Sequence, residues 1–267
     1  MGAPSRLMPT SPRLFRASVA RSERISESFQ RVTLTGPELS GFQWIGFDHW
    51  FRLFIPLTAG QGLVLPTVKG RSWWRSYLAI PKASRPHCAN YTVADFRPAG
   101  DQSELDIDVV LHRDAAGQLA GRVAIWAVGV EPGWPAGLLD QGIMFDRPDG
   151  ADSVHLVSDA TGLPALRGIT ASLPSSVRGT AILEVPTPDD SVSLRVPAGL
   201  AISWVHPAPG QAPGAAALAW LEGAPPADPE AYGFAVGVSA LAAGARRIWR
   251  RQGLPKSRIT FVGYWKP

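Results

Sequence analysis

Cys88 is the only cysteine in the 267 residues, which excludes an internal disulfide and any zinc or iron–sulfur site built from cysteines. No apolar run approaches the ~18–20 residues that cross a bilayer, so no membrane partner is expected. The opening stretch MGAPSRLMPTSPRLFRASVARSER (1–24) carries arginines but no apolar core, which argues against a secretory leader. Gly2 fits a myristoylation signal, but Arg6 stands where that signal needs Ser or Thr. The cytoplasm is therefore the expected location. A lysine-rich block and a basic stripe interleaved with aromatics are both missing, so the net charge of +4 gives nucleic-acid binding little footing. A mildly positive surface suits an anionic small molecule equally well. Internal repeats and a Gly-x-Gly-x-x-Gly fingerprint are absent too.

What is present reads as a folded chain in two parts. With 45% hydrophobic and 18% charged residues, the composition is that of a globular protein rather than a disordered one. The first half is rich in β-branched or alternating runs bounded by Gly, Pro and Asp: RVTLTG (31–36), HWFRLFIPL (49–57), NYTVADF (90–96) and ELDIDVVLH (104–112). In the last, Leu105, Ile107, Val109 and Leu111 point one way, and Asp106, Asp108, Val110 and His112 the other. That pattern predicts one core face and one face open to solvent or ligand. Several such strands with short turns predict an antiparallel barrel, over residues 10–148.

Charged and turn-forming residues in MFDRPDGADS (144–153) mark a linker. Strand and helix patterns alternate after it. Strands are predicted at 153–159, 179–186, 200–207, 232–238 and 258–265, and helices at 161–173, 214–223 and 239–253. Such alternation predicts a parallel sheet covered on both faces, over residues 152–267.

The motifs in this order resemble the siderophore-interacting protein family, the flavin-dependent ferric-siderophore reductases related to ferredoxin reductases. RVTLTGPELSGF (31–42) and DHWFRLFIP (48–56) resemble the opening strands of that family's barrel. NYTV (90–93) is similar to its Arg-x-Tyr-Thr-Val, LDIDVVLH (105–112) to its Asp-x-Asp-x-Val-x-His, and GRVAIWA (121–127) to its Gly-Pro-Ala-x-x-Trp-Ala. EPG (131–133) follows in place. In the second half SDATGLPAL (158–166) resembles Gly-Asp-x-Thr-Ala-Leu-Pro-Ala, with EVPTPDD (184–190), WVH (204–206) and VGYW (262–265) behind it. The resemblance spans residue 12 to the C-terminus. It implies a β-barrel that binds FAD followed by an α/β domain of the ferredoxin–NADP reductase type. Electrons from NAD(P)H would pass by way of FAD to the Fe(III) of a siderophore or other small ferric chelate, releasing Fe(II). The flavin carries that chemistry, so no catalytic residue and no metal ligand is assigned, and a monomer or weak dimer is expected.

A flavin needs aromatic and hydroxyl contacts at its ring and positive potential at its phosphates. Tyr91 is expected against the ring, Thr92 at its polar edge, and His112 within hydrogen-bonding reach. Gly121 and Arg122 open a helix whose N–H groups and positive end suit a pyrophosphate. Val93, Val123, Ala124, Trp126 and Gly162 come with the matched motifs, and Asp159 and Thr161 either cap a helix or touch the flavin or nicotinamide. Tyr264 and Trp265 are candidates to cover the flavin face. Gly237 and Ser239 are assigned to the nicotinamide pocket by resemblance, and Arg52, Arg246 and Arg247 to the siderophore. For each the plainer alternative is ordinary strand, core packing or a solvated helix face.

Three positions depart from the family. Ala89 and Ala94 replace basic residues flanking the Tyr-Thr-Val run, and Val238 replaces an acid near the nicotinamide. Losing one charge-assisted phosphate contact costs about 1.5–3 kcal/mol, roughly ten- to a hundredfold in affinity. Arg85, Arg97, Arg113 and Arg122 are available as substitutes. A rival placement of the flavin strand on RSYL (75–78) keeps Arg75 and Tyr77 but loses the hydroxyl at Leu78. The departures leave two alternatives open: a divergent member that has lost redox activity and acts as a binding module, or a flavoreductase with another acceptor.

Overall fold

The computed structural model describes residues 13–58, 60–68, 72–114, 116–225 and 227–266. The MGAPSR stretch and the expected start of the barrel at residue 10 lie outside the described residues. The chain divides into two units, one holding the described residues to Ile45 with His49–Ile143, the other Gly46–Asp48 with the chain from Met144 onward.

The first unit is a seven-stranded antiparallel sheet. Its strands are β1 (Leu14–Arg24), β2 (Phe29–Thr35), β3 (Trp50–Ile55), β4 (His87–Thr92), β5 (Asp95–Arg97), β6 (Glu104–Val110) and β7 (Pro135–Asp140), in the order β4-β3-β7-β1-β2-β6-β5. The two edge strands are consecutive in the chain, separated by Val93 and Ala94 alone. Val93 donates its amide to His49 O on one edge (2.8 Å), and Ala94 donates to Asp106 O on the other (2.9 Å). Two adjacent amides thus tie opposite edges of a curled sheet together, as barrel closure requires. NYTVADF is therefore not one strand but a corner between two.

Alternation sets the core. Val32, Leu34, Phe51, Leu53, Leu105, Ile107 and Leu138 are fully buried on the inner face. Helix α2 (Arg122–Gly129) adds Val123, Ala124, Trp126 and Ala127 to the same cluster. The opposite face of β6 is closed as well, contrary to expectation. Asp106 and Asp108 are 2% and 5% exposed, held by Arg97, Arg31 and Thr33 from neighbouring strands. A shorter helix, α1 (Trp73–Ala79), lies on the outer face, where Trp73 and Tyr77 pack with Phe54 and Leu139. RSYL is thus helical, which removes it as a flavin strand.

The second unit is a five-stranded parallel sheet in the order β10-β9-β8-β11-β12. Its elements are β8 (Ser153–Ser158), α3 (Leu163–Ser172), β9 (Arg178–Glu184), β10 (Gly199–Val205), α4 (Ala215–Gly223), β11 (Tyr232–Val238), α5 (Ser239–Arg251) and β12 (Ile259–Trp265). Every expected strand and helix of this half is present. β11 is buried at all seven positions, as a central parallel strand covered on both faces should be. The strand order reverses between β8 and β11, the switch point where open α/β sheets carry their ligand crevice.

Candidate functional site

In the barrel unit the candidate flavin residues lie along β4. The pleat puts His87, Ala89 and Tyr91 on one face, opposite Ile55, Leu53 and Phe51 of β3. Tyr91 is half-buried against the barrel core, and burial raises its phenol well above the ordinary range. Thr92 is 6% exposed, opposite Trp50, and Val93 is in the core. Ala94 is 7% exposed with its amide spent on closing the barrel. A small side chain there fits the corner.

The substitute arginines separate cleanly. Arg97 is held by Asp95, Glu104 and Asp106, with contacts of 2.7–3.1 Å. Arg85 donates to Leu78 O and Ile80 O, and Arg113 donates to Gly117 O. Arg122, the first residue of α2, is exposed and has no carboxylate or carbonyl partner among the described residues. It lines a cavity of about 330 Å³ between the end of β3, the start of β4 and α2, together with Thr58, His87, Ile125, Trp126 and Trp134. Burial lowers the His87 imidazole's affinity for a proton, and the nearby Arg122 charge lowers it further. The Trp126 indole N–H, in a residue of that wall, is buried without an acceptor. Gly121 caps the helix at φ +91°, where an L side chain would be strained, with open space around it. Val123 and Ala124 face the core instead.

His112 is not on the strand face expected for it. β6 ends at Val110, and His112 is an exposed residue of the following loop, its carbonyl accepting from Ala120 N (2.8 Å). The strand stops there because the chain turns back in a short excursion closed by the Arg113–Leu119 bridge. Arg52 lies on the opposite face of the β3–β4 ladder from Tyr91. Its guanidinium stacks over Trp73 (4.8 Å) and Trp50 (5.6 Å), and it donates to Asn90 Oδ1 (3.1 Å). Beside it, burial pushes the Cys88 thiol up to about 11 despite Arg52.

In the α/β unit, Asp159 follows β8 and its carboxylate is saturated. Oδ1 accepts from Thr161 N (2.9 Å) and Thr161 Oγ1 (2.5 Å); Oδ2 accepts from Val238 N (2.6 Å) and Trp265 Nε1 (3.0 Å). It caps the turn before α3 and locks the ends of β8, β11 and β12 together across the switch point. Gly237 is required by that lock: at φ +121° a Cβ would lie 2.6 Å from the carboxylate. Gly162 is similarly confined, with Ser158 and Val236 within 2.7 Å of a Cβ. Ser239 donates to Trp265 O (3.0 Å), and Tyr264 and Trp265 are both half-buried. Val238 is fully buried among apolar side chains, where an acid would be desolvated. Arg246 stacks on Phe261 (4.7 Å), while Arg247 is exposed on α5.

Two residues escaped sequence reasoning. Glu184, buried at the end of β9, accepts from Gly214 N (2.6 Å) and Ala217 N (2.9 Å) and so caps α4. No local signal marks it, because its donors lie 30 residues on. His87 could have been found by its spacing of two and four from Ala89 and Tyr91. Among the described residues no cluster of His, Cys, Asp and Glu is arranged to hold a metal, and no helix is long and apolar enough to cross a membrane.

Comparison with known proteins gives a consistent result. Residues 18–143 match the model of the siderophore-interacting FAD-binding domain, and residues 151–267 that of the siderophore-interacting protein. Ferric vibriobactin reductase ViuB of Vibrio cholerae is 29% identical over 258 residues, covering 96% of this chain and 89% of that one. The NADPH-dependent ferric-chelate reductase of Escherichia coli is 34% identical over 155 residues, 56% of this chain and 53% of that one. The crystal structure of a siderophore utilization protein from T. fusca superposes with TM-score 0.77 at 26% identity, over 98% of this chain and 95% of that one. More distant ferredoxin reductases share the fold.

Proposed function

The chain belongs to the siderophore-interacting protein family, and from that membership we propose that it is a cytoplasmic NAD(P)H-dependent reductase of ferric siderophores or similar small ferric chelates. The carrying observation is that both halves match the family in order, with a cavity opening beside the strand that bears Tyr91. The donor set suits FAD: an aromatic ring and a hydroxyl at Tyr91 and Thr92, and, on a helix N-terminus, a cation at Arg122 with no partner among the described residues. Bound there, FAD supplies the conversion of a two-electron hydride donor into single electrons for a metal. Tyr91 and Thr92 would hold the ring end, and Gly121 N–H with Arg122 the phosphate end. Reduction to Fe(II) weakens the metal's bond to hard oxygen ligands, so the iron leaves its chelator. The protein needs no iron ligand of its own; Arg247, exposed on α5, is free to attract an anionic chelate.

Ala89, Ala94 and Val238 favour a second reading, a binding module that has kept the scaffold without the redox role. Their sites are filled by barrel core, barrel closure and an apolar cluster. The two readings differ in colour. The reductase is expected to purify yellow or to take up FAD on addition, giving flavin absorbance bands. A protein that stays colourless and leaves FAD fluorescence unchanged on titration would be the binding module. Bands that NAD(P)H bleaches but no ferric chelate restores would indicate a flavoreductase with another acceptor.

A further inference from the structure

We propose that Arg122, seated beside His87 at the cavity between α2 and β4, has taken over the phosphate neutralisation that basic side chains at 89 and 94 would supply, so that this cavity receives an adenosine-diphosphate moiety. The inference rests on the FAD reading above and specifies how this chain holds that cofactor without the two missing cations.

The argument proceeds by elimination and by placement. Of four arginines near enough in sequence to substitute, Arg97 is tied into a three-carboxylate network, and Arg85 and Arg113 hold backbone carbonyls. Diverting Arg97 would strip the buried Asp106 of a charged partner, at a cost of several-fold to a hundredfold in stability, and Arg85 and Arg113 are already engaged by carbonyls at Ile80 and Gly117. Arg122 has no such obligation. It also stands where the family motif has proline, so this chain gains a cation near the helix N-terminus while losing two on the neighbouring strand. A lone arginine in a first turn disfavours the helix dipole. That disadvantage disappears when an anion sits between the two, because both the guanidinium and the exposed N–H groups then face negative charge.

Placement supports the same occupant. His87, Ala89 and Tyr91 share one face of β4, so the cavity end and the ring-binding end of the strand are about 13 Å apart. A ribityl chain and diphosphate are long enough for that span, while Ala89 itself packs on the barrel core. The cavity walls combine Arg122 and His87 with Ile125, Trp126 and Trp134, which suits a purine next to a phosphate. Its volume of about 330 Å³ is at the lower end of small-molecule sites.

Adenosine diphosphate is common to FAD and NAD(P)H, so the test separates the two. Apoprotein is titrated with FAD, FMN, riboflavin, ADP and NADPH, following flavin or tryptophan fluorescence, in the wild type and in Arg122→Ala, Arg122→Lys and Arg113→Ala. Circular dichroism confirms the fold of each. The expected result is that Arg122→Ala weakens FAD roughly ten- to a hundredfold, FMN less, and riboflavin not at all. Arg122→Lys should recover part of the loss, Arg113→Ala should behave as wild type, and ADP should compete with FAD in the wild type and in Arg113→Ala but not in Arg122→Ala. FAD affinity unchanged in folded Arg122→Ala would overturn the assignment while leaving the flavoprotein reading intact. If the wild type bound no flavin, both would fall. Loss of NADPH affinity in Arg122→Ala, with FAD unaffected, would assign the cavity to the nicotinamide nucleotide and also overturn the proposal.

Discussion

At the scale of single residues, Asp159 shows how a motif position can carry the fold. Its four donors come from three segments, and each belongs to a buried or half-buried residue. Asp159→Asn turns one acceptor oxygen into a donor facing an N–H, so about 2–3 kcal/mol of stability should be lost. A lowered urea midpoint with unchanged m-value would show it. Were Asp159 only a cofactor contact, the apoprotein's midpoint would stay where it is. Gly237→Ala should cost about 1–3 kcal/mol through the positive φ and the contact with that carboxylate, and the double variant should lose less than the sum. The cap at Asp159 and Thr161 was legible in SDATGLP, since an acid two residues before a helical run is a familiar N-cap. The reach to Val238 and Trp265 was not, because those donors lie 79 and 106 residues away.

Individual elements were legible in proportion to how much of their burial they show in their own sequence. β11 read plainly because a central parallel strand is continuously apolar, and β8 because Val154, Leu156 and Val157 form a short β-branched and apolar run. β1 did not, since LFRASVARSER buries only Phe15 and Val19 deeply. β7 was hidden in a Pro- and Gly-containing stretch, PAGLLD, whose Gly137 admits the close approach of Leu65. β6 was read correctly as alternating but wrongly as having an open polar face: alternation reports polarity, not partners. Burial alone would raise the Asp106 carboxyl, but hydrogen bonds from Arg97 and Thr33 and the charges of Arg97 and Arg31 outweigh it and hold it below the usual range. The hydrogen bond from Arg21, chiefly, and that from Arg97 also hold Glu104 low. Both groups have folded-state values below their unfolded ones. Their contribution is therefore complete above pH ~4–5 and is lost as pH falls through the folded values. The barrel should become markedly less stable below about pH 4. Arg97→Ala should cost about 2 kcal/mol at neutral pH, allowing for solvent screening at a partly exposed guanidinium. The same variant should flatten the acid limb, measured by thermal melts from pH 3 to 7; an acid limb as steep as the wild type's would show that Arg97 does not hold these carboxyls.

On the scale of the whole molecule, the order of weak motifs was more informative than any one of them. NYTV, LDIDVVLH, GRVAIWA and SDATGLP each occur by chance in ordinary domains, yet their sequence along the chain specified a barrel followed by a parallel sheet. What the motifs could not show was which arginine lacks a partner among the described residues, because that depends on groups brought in by strand pairing: Arg97 is spent on the carboxylates of β5 and β6, while Arg122 is exposed beside a cavity. The central claim is that this scaffold still carries electrons from a nicotinamide to a ferric chelate through FAD. Its most direct test is an anaerobic absorbance measurement on the FAD-loaded protein, with NADH or NADPH added first and a ferric siderophore second, in the presence of an Fe(II)-trapping dye. The flavin bands should bleach with the nucleotide and return with the siderophore as the dye colours. Bands that neither nucleotide bleaches, or that stay bleached with no Fe(II) trapped after the siderophore is added, would contradict it.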